Sequence, residues 1–286
     1  MTYLNSDRRA FLAGASMLSI GALAACSGAV EAPAEPSQAP GYTALLGVQL
    51  YTVRALFEAN AVETLKALAE IGVKDCETAG LFDYSATDIR SAMDDLGLIS
   101  RSAHVRLPQL NDETEFAKVL ADAEVLGQDR LYLGWIPEEE RSVERYKVLA
   151  DLLNRRGEEA KSAGRMIGYH NHEFEFIEQD GTTGYDILLG ETDPDLVTME
   201  LDFFWVADAG KDPLEIIGNA PGRFSSCHIK DRSEAGDMVS VGDGVIDFKT
   251  LLPLAQEQGI ERFYVEHDNP EDPLASVAKG FAHLTA

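Results

Sequence analysis

From residue 44 onward the apolar positions follow two alternating rhythms. Short runs rich in Val, Ile, Leu and Tyr occupy residues 45–52, 73–78, 99–105, 130–133, 166–172, 197–202, 224–229 and 263–266. Several are continuous rather than alternating, as expected of parallel strands covered by helices. Longer amphipathic segments lie between them, at 61–71, 86–96, 113–126, 142–163 and 248–258. Each runs up to a glycine: Gly72, Gly97, Gly127, Gly164 and Gly259. Glycine enters the left-handed conformation that closes a helix, and a strand follows each time. In the first of these helices Val62, Leu65, Leu68, Ala69 and Gly72 are predicted to share one face.

Eight strand–helix units within residues 42–286 predict a single α/β domain, a (β/α)8 TIM barrel. An open doubly wound sheet is the competing arrangement. Its dinucleotide-binding version is disfavoured, because no Gly-x-Gly-x-x-Gly turn follows the first strand.

Residues 1–25 stand apart from this pattern. Arg8 and Arg9 precede an apolar stretch at 12–25 that is too short and too rich in Ala and Gly for a good membrane span. The segment resembles a twin-arginine export signal. Leu23-Ala24-Ala25-Cys26 resembles a lipobox, which implies cleavage before Cys26, lipidation of its thiol and a lipid anchor in the membrane on the periplasmic or cell-surface side. Residues 26–41, rich in Ala, Pro and Ser, read as a tether.

Charge narrows the partners. The chain carries 49 Asp and Glu against 24 Lys and Arg, a formal charge of −25 that repels phosphate backbones and excludes nucleic acid. Loss of residues 1–25 removes Asp7, Arg8 and Arg9, so the acidity belongs to the domain. Cys76 and Cys227 lie in apolar strand-like segments and are expected as buried free thiols.

The active site of such a barrel gathers at the C-terminal ends of its strands. Polar groups collect there: Gln49, Glu77, His104, Trp135, His170, His172, Glu175, Glu200, Asp202, His228, Lys230 and Glu266. Of the six histidines, five (His104, His170, His172, His228 and His267) lie at or beside strand ends. Imidazole with carboxylate suits one divalent ion, Mn, Zn, Co, Fe or Mg. No thiolate cluster of structural-zinc spacing exists. Gln49, Glu77, His104, Trp135 and Lys230 are candidate substrate contacts. For Lys230 an ion pair with Asp231 is the competing reading. Trp135 and Trp205 are candidate walls for a sugar face. The Gly242-Asp243-Gly244 turn lacks basic neighbours and is not read as a phosphate cradle.

The segments YHNHEFEF, MELDFFW, CHIKD and FYVEHD, with GVQLYTVR and VGDGVIDF, resemble the xylose isomerase-like sugar isomerase/epimerase barrels from Gly47 to the C-terminus. The resemblance implies one divalent metal held from strands five to eight. Asp202, His228 and Glu266 match three ligand positions. The fourth is a strand-five glutamate in the epimerases. His170 is nearest to that position here, and Glu175 carries a carboxylate a few residues on, so His170, Glu175 or both are implied. In the epimerases the strand-five and strand-eight glutamates exchange a proton across the sugar. Glu266 fits one half of that arrangement, and His172 or Glu175 would stand for the other.

The resemblance therefore implies a metal-dependent isomerase or epimerase acting on a sugar or keto-sugar through an enediolate. Export implies an unphosphorylated substrate, since phosphorylated sugars are scarce outside the cytoplasm. One alternative is a metal-dependent lyase or dehydratase acting on a 3-keto-glycoside or inosose-like substrate. Another is a non-catalytic sugar-binding lipoprotein. Endonuclease IV-type repair enzymes share the topology, but the charge argues against a DNA substrate. Homo-oligomerisation is compatible with the sequence.

Overall fold

A computed structural model describes residues 41–286. The signal at 1–25, Cys26 and almost all of the tether lie outside the described residues. Eight parallel strands form the barrel wall: β1 (Leu46–Gln49), β2 (Asp75–Glu77), β3 (Ser102–Val105), β4 (Arg130–Leu133), β5 (Met166–His170), β6 (Val197–Asp202), β7 (Phe224–Ile229) and β8 (Arg262–Val265). Their order is β2-β1-β8-β7-β6-β5-β4-β3. Parallel bridges Asp75↔Ile99 and Thr78↔Ala103 join the two ends, β2 to β3. That closure rules out the open doubly wound sheet.

The covering helices are α1 (Ala61–Ile71), α2 (Ala86–Leu96), α3 (Glu113–Leu126), α4 (Val143–Ser162), α5 (Gly184–Glu191), α6 (Pro213–Asn219), α7 (Phe248–Glu257) and α8 (Pro273–Thr285). Side-chain caps start them. Asn60 accepts from the Glu63 amide at α1, Ser85 from Asp88 at α2, and Asp112 from Thr114 and Glu115 at α3. Gly72 closes α1 with φ 106°, as the sequence predicts.

Two local expectations change. Val62 is solvent-exposed, and α1 buries Ala61, Thr64, Leu65 and Leu68 instead. The buried stripe is thus rotated from the expected one. Several strands are also shorter than their apolar runs. The run at 45–52 keeps β geometry only through Gln49, whose side chain accepts from the Tyr51 amide and turns the backbone into the 3-10 turn Leu50–Val53. The run at 166–172 leaves the sheet after His170.

Continuous apolar strands supply a core that includes Val48, Leu131, Leu133, Ile167, Val197 and Leu201. Cys76 and Cys227 are buried and free. Ion pairs Arg101–Asp75 and Arg262–Asp129 knit the strand starts. Among the described residues no helix is long and apolar enough to cross a membrane.

Candidate metal centre and active-site cavity

Alternation along β6 puts Glu200 and Asp202 on the same inward face, and alternation along β7 does the same for Ser226 and His228. Two layers of polar groups result. In the deeper one, Glu77 accepts from Gln49 Nε2 at 2.8 Å, lies 2.6 Å from His228 Nε2, and accepts from the Ser102 hydroxyl. Glu200 lies 2.6 Å from His104 Nε2, 3.1 Å from His228 Nε2 and 3.3 Å from His170 Nδ1, and accepts from Ser226 Oγ at 2.7 Å. His104 fits this layer because Gly134 stands beside it; a Cβ at 134 would fall 2.4 Å from His104 Nδ1.

The upper layer holds Asp202, Glu266, Lys230 and Asp268. Lys230 Nζ lies 3.1 Å from Asp202 Oδ2, 3.0 Å from Glu266 Oε2 and 2.8 Å from Asp268 Oδ1. His228 links the layers: Nε2 faces Glu77 and Glu200, while Nδ1 lies 2.6 Å from Glu266 Oε2. Asp202 is held by its helix-capping role, since Oδ1 accepts from the Trp205 amide at 3.0 Å.

Among the described residues two groups of side chains could hold a divalent ion: His104, His170, Glu200 and His228 below, and Asp202, His228 and Glu266 above. Hydrogen bonding separates them. Both Glu200 oxygens have partners. Asp202 Oδ2, His228 Nδ1 and Glu266 Oε2 are all buried without a hydrogen bond of proper geometry and account for every member of the upper group, whereas the lower group has only His170 Nδ1 and the shared His228 Nδ1 in that state. Buried polar atoms left in this way are costly; ion pairing with Lys230 and His228 offsets part of that cost, and a metal ion would satisfy all three at once. His170 Nε2, 3.6 Å from Asp202 Oδ2, stands close enough to join.

The carboxylates draw positive charge to this site: burial opposes protonation of His228, but Glu200, Glu266 and Glu77 overcome it and hold its imidazole well above the ordinary range while no metal is bound. Burial pushes the Asp202 carboxyl up to about 6 despite Lys230 and His228. Burial also opposes ionisation of Glu266 and Glu200. For Glu266, Lys230 and His228 outweigh it, and for Glu200 the surrounding imidazoles do, so both carboxyls stay well below the usual range. Lys230 rises well above its ordinary value, because Asp202, Glu266 and Asp268 overcome its burial. Burial holds His170 and His172 well below the ordinary imidazole range, hence neutral.

A cavity of about 900 Å³ opens above these layers, and His104, His170, His172, Lys230, Glu266 and Trp135 line it. The other sequence candidates fall elsewhere. Gln49 and Glu77 lie fully buried in the deeper layer, with their polar ends bonded to one another and to neighbours. Glu175 is fully buried: Tyr169 OH donates to it at 2.5 Å and the His172 amide at 2.7 Å, and it belongs to neither metal-binding group. Lys230 does form ion pairs, but with Asp202, Glu266 and Asp268. Asp231 instead accepts from the amides of Arg232, Gly242, Gly244 and Ile246, which explains the VGDGVIDF turn. Asp268, Phe174 and Arg141 were not singled out by sequence reasoning, and Glu200 was named only as a polar strand-end group, with no ligand or substrate role. For Glu200 a signal existed, its two-residue spacing from Asp202 on one strand face.

The chain spans about half the length of the curated relatives it matches. It is 30% identical over 151 residues to an inosose dehydratase of Geobacillus thermodenitrificans, covering 46% of this chain and 50% of that protein. The crystal structure of a sugar phosphate isomerase/epimerase from Parabacteroides distasonis superposes with a TM-score of 0.73 at 28% identity, covering 87% of this chain and 95% of that one. The apo 3-keto-D-glucoside 4-epimerase of E. coli shares the fold with a TM-score of 0.63 at 16% identity, covering 84% and 98%. The sequence profile of the xylose isomerase-like TIM barrels matches residues 65–286. With eight closed parallel strands and that match over most of its length, the chain belongs to the xylose isomerase-like TIM barrel family.

Proposed function

We propose that this protein is an enzyme that, with one divalent metal ion, removes the proton beside the ketone of an unphosphorylated keto-sugar and then expels a β-substituent. One observation carries the reading. Three buried ligand atoms without a well-formed hydrogen bond, on Asp202, His228 and Glu266, lie within reach of one another, and Glu266 shares the cavity lining with the neutral imidazole of His172.

Asp202, His228 and Glu266 would hold the ion, with His170 in the fourth position in place of a strand-five glutamate. When bound, such an ion supplies Lewis acidity that favours negative charge on a substrate oxygen. Lys230, kept charged by three carboxylates, lines the cavity and places positive charge beside a substrate oxygen.

His172 is the base that is free to act, a neutral imidazole even though burial lowers its basicity. It stacks on Phe174 with ring centres 5.2 Å apart, packs against Trp205 at 5.4 Å, and its Nδ1 has no hydrogen bond. Glu266, stabilised as a carboxylate by Lys230 and His228, is a weak base. The C–H proton passes to His172 and its electron pair moves toward the carbonyl oxygen. The returning pair then forms the C–C double bond and expels the β-substituent, which takes the proton back from the imidazolium.

A single base suits elimination, and the name of the inosose dehydratase relative agrees with it. Epimerisation is the second reading. It is favoured by the isomerase/epimerase relative and by Glu266, which also lines the cavity. Proton NMR in D2O with a panel of keto-sugars and metal-loaded protein tests both. Exchange with formation of an unsaturated ketone supports the lyase, and exchange with inverted configuration supports the epimerase. No exchange across the panel, with metal bound, refutes both. Twin-arginine export and lipid attachment at Cys26 complete the proposal, and mass spectrometry of the mature N-terminus checks them.

A further inference from the structure

We infer that the outer half of the cavity is a subsite for a flat aromatic group, so that the substrate is a keto-sugar carrying an aryl aglycone. The inference rests on the keto-sugar reading above for the inner ring.

Size is the first argument. A six-carbon sugar ring displaces on the order of seven waters, roughly 200 Å³ at ~30 Å³ each. The cavity holds about 900 Å³. Most of its volume therefore lies beyond the ring that reaches the metal group.

The wall of that extra space is a continuous ladder of flat side chains. Lys230 Nζ sits 5.7 Å from the Trp205 ring centre, and Trp205 packs on His172 at 5.4 Å. His172 lies parallel to Phe174, with 7° between the planes. The Arg141 guanidinium lies 3.5 Å over the Phe174 ring and 5.5 Å from the Trp135 ring. The ladder runs from the carboxylate group to Trp135, which is 52% exposed.

Chemistry selects the occupant. A second sugar needs a hydrogen-bond partner for each hydroxyl it buries. Arg141, the guanidinium within this ladder, has Nε and Nη2 directed at the Ile136 carbonyl, at 3.2 and 3.0 Å, and one face on Phe174, so it presents a flat surface rather than its edge. Leu107 and Pro108, also lining the cavity, add apolar surface. An aromatic ring pairs with flat faces by offset stacking and with a guanidinium by cation–π attraction.

The chain's only two tryptophans, Trp135 and Trp205, both line the cavity, so intrinsic fluorescence reports its occupancy. Metal-loaded full-length protein is titrated with phenyl D-glucoside, methyl D-glucoside (both anomers of each) and cellobiose. Fluorescence quenching and calorimetry follow binding. Phenyl glucoside is expected to bind about 10- to 100-fold more tightly than methyl glucoside, and more tightly than cellobiose. In Trp135→Ala the phenyl-to-methyl ratio falls to within about threefold. Three outcomes overturn the inference: equal binding of phenyl and methyl glucosides or no binding of any, tighter binding of cellobiose, or an unchanged ratio in Trp135→Ala. None of these ligands carries a ketone. The aryl preference can therefore stand while the proposed enolisation fails, and the reverse.

Discussion

Replacing Asp202 by Asn removes one buried negative charge and little else. The Asn oxygen can still accept from the Trp205 amide, now 3.0 Å from Asp202 Oδ1. The Asp202 carboxyl has a folded-state value of about 6 against an ordinary 3.8. A raised folded value means the associated stability is fully present below the unfolded value and is lost as pH rises through about 6. At about 1.4 kcal/mol per pH unit, ionised Asp202 costs the metal-free protein roughly 3 kcal/mol at pH 8. Asn does not carry that cost. Lys230 loses one partner but keeps Glu266 at 3.0 Å and Asp268 at 2.8 Å. Metal-free Asp202→Asn is therefore expected to be at least as stable as the wild type at pH 8. With metal the order reverses. An ion at one hundred times its dissociation constant stabilises the wild type by about 2.7 kcal/mol. At ~2–4 °C per kcal/mol for a domain of this size, Tm rises by about 5–11 °C. Loss of a charged ligand weakens affinity by at least the ~10- to 100-fold typical of outer-sphere changes. At one-hundred-fold weakening the gain falls to about 0.4 kcal/mol, or ~1–2 °C. Thermal melts of chelator-treated protein, repeated with Mn, Zn, Co, Fe and Mg, measure both quantities. An equal metal-induced rise in variant and wild type, or no rise in the wild type with any of the five, would refute the assignment.

Other expectations follow from the same geometry. Burial pushes the Glu175 carboxyl up to about 7 from an ordinary 4.5, so its contribution to stability is present below pH 4.5 and lost as pH rises through about 7. Glu175→Gln should lack that loss, roughly 3 kcal/mol between pH 4.5 and 8; denaturant titrations at both pH values check it, and parallel pH profiles in the two proteins would contradict it. His172→Asn should slow deuterium exchange into a reactive keto-sugar by about 10²–10⁴-fold while the metal content stays near one per chain; an unchanged rate would remove His172 from the proton transfer. A Cβ at Gly244 would sit 2.1 Å from Asp231 Oδ1 and 2.5 Å from the Arg232 carbonyl. Gly244→Ala should therefore break the Asp231 clasp and cost about 1–3 kcal/mol, seen as a Tm lowered by ~2–12 °C; a melting curve superposable on the wild type would show that the turn relaxes freely.

What the sequence by itself determined is local. Apolar runs, caps and helix-ending glycines depend on neighbours a few residues away, and they place every barrel strand and the main helices within a few positions. Two-residue alternation likewise sends Asp202 and Glu200, or His228 and Ser226, to one face. Tertiary structure decided what depends on closure of the sheet. The Asp75↔Ile99 and Thr78↔Ala103 bridges turn eight strands into a barrel, and only then do Glu77, His104, Glu200 and His228 meet. Which nitrogen of His228 looks up, and whether Lys230 pairs with Asp231 or with Asp202, Glu266 and Asp268, follows from packing across the barrel. Glu175 shows the boundary most clearly. Read along the chain it could reach the metal group, but β5 ends at His170 and the 3-10 turn Phe174–Phe176 breaks the alternation. The carboxyl is then carried to Tyr169 and the His172 amide, because a side chain's direction is inherited from the backbone beneath it and only the folded barrel sets where that backbone turns.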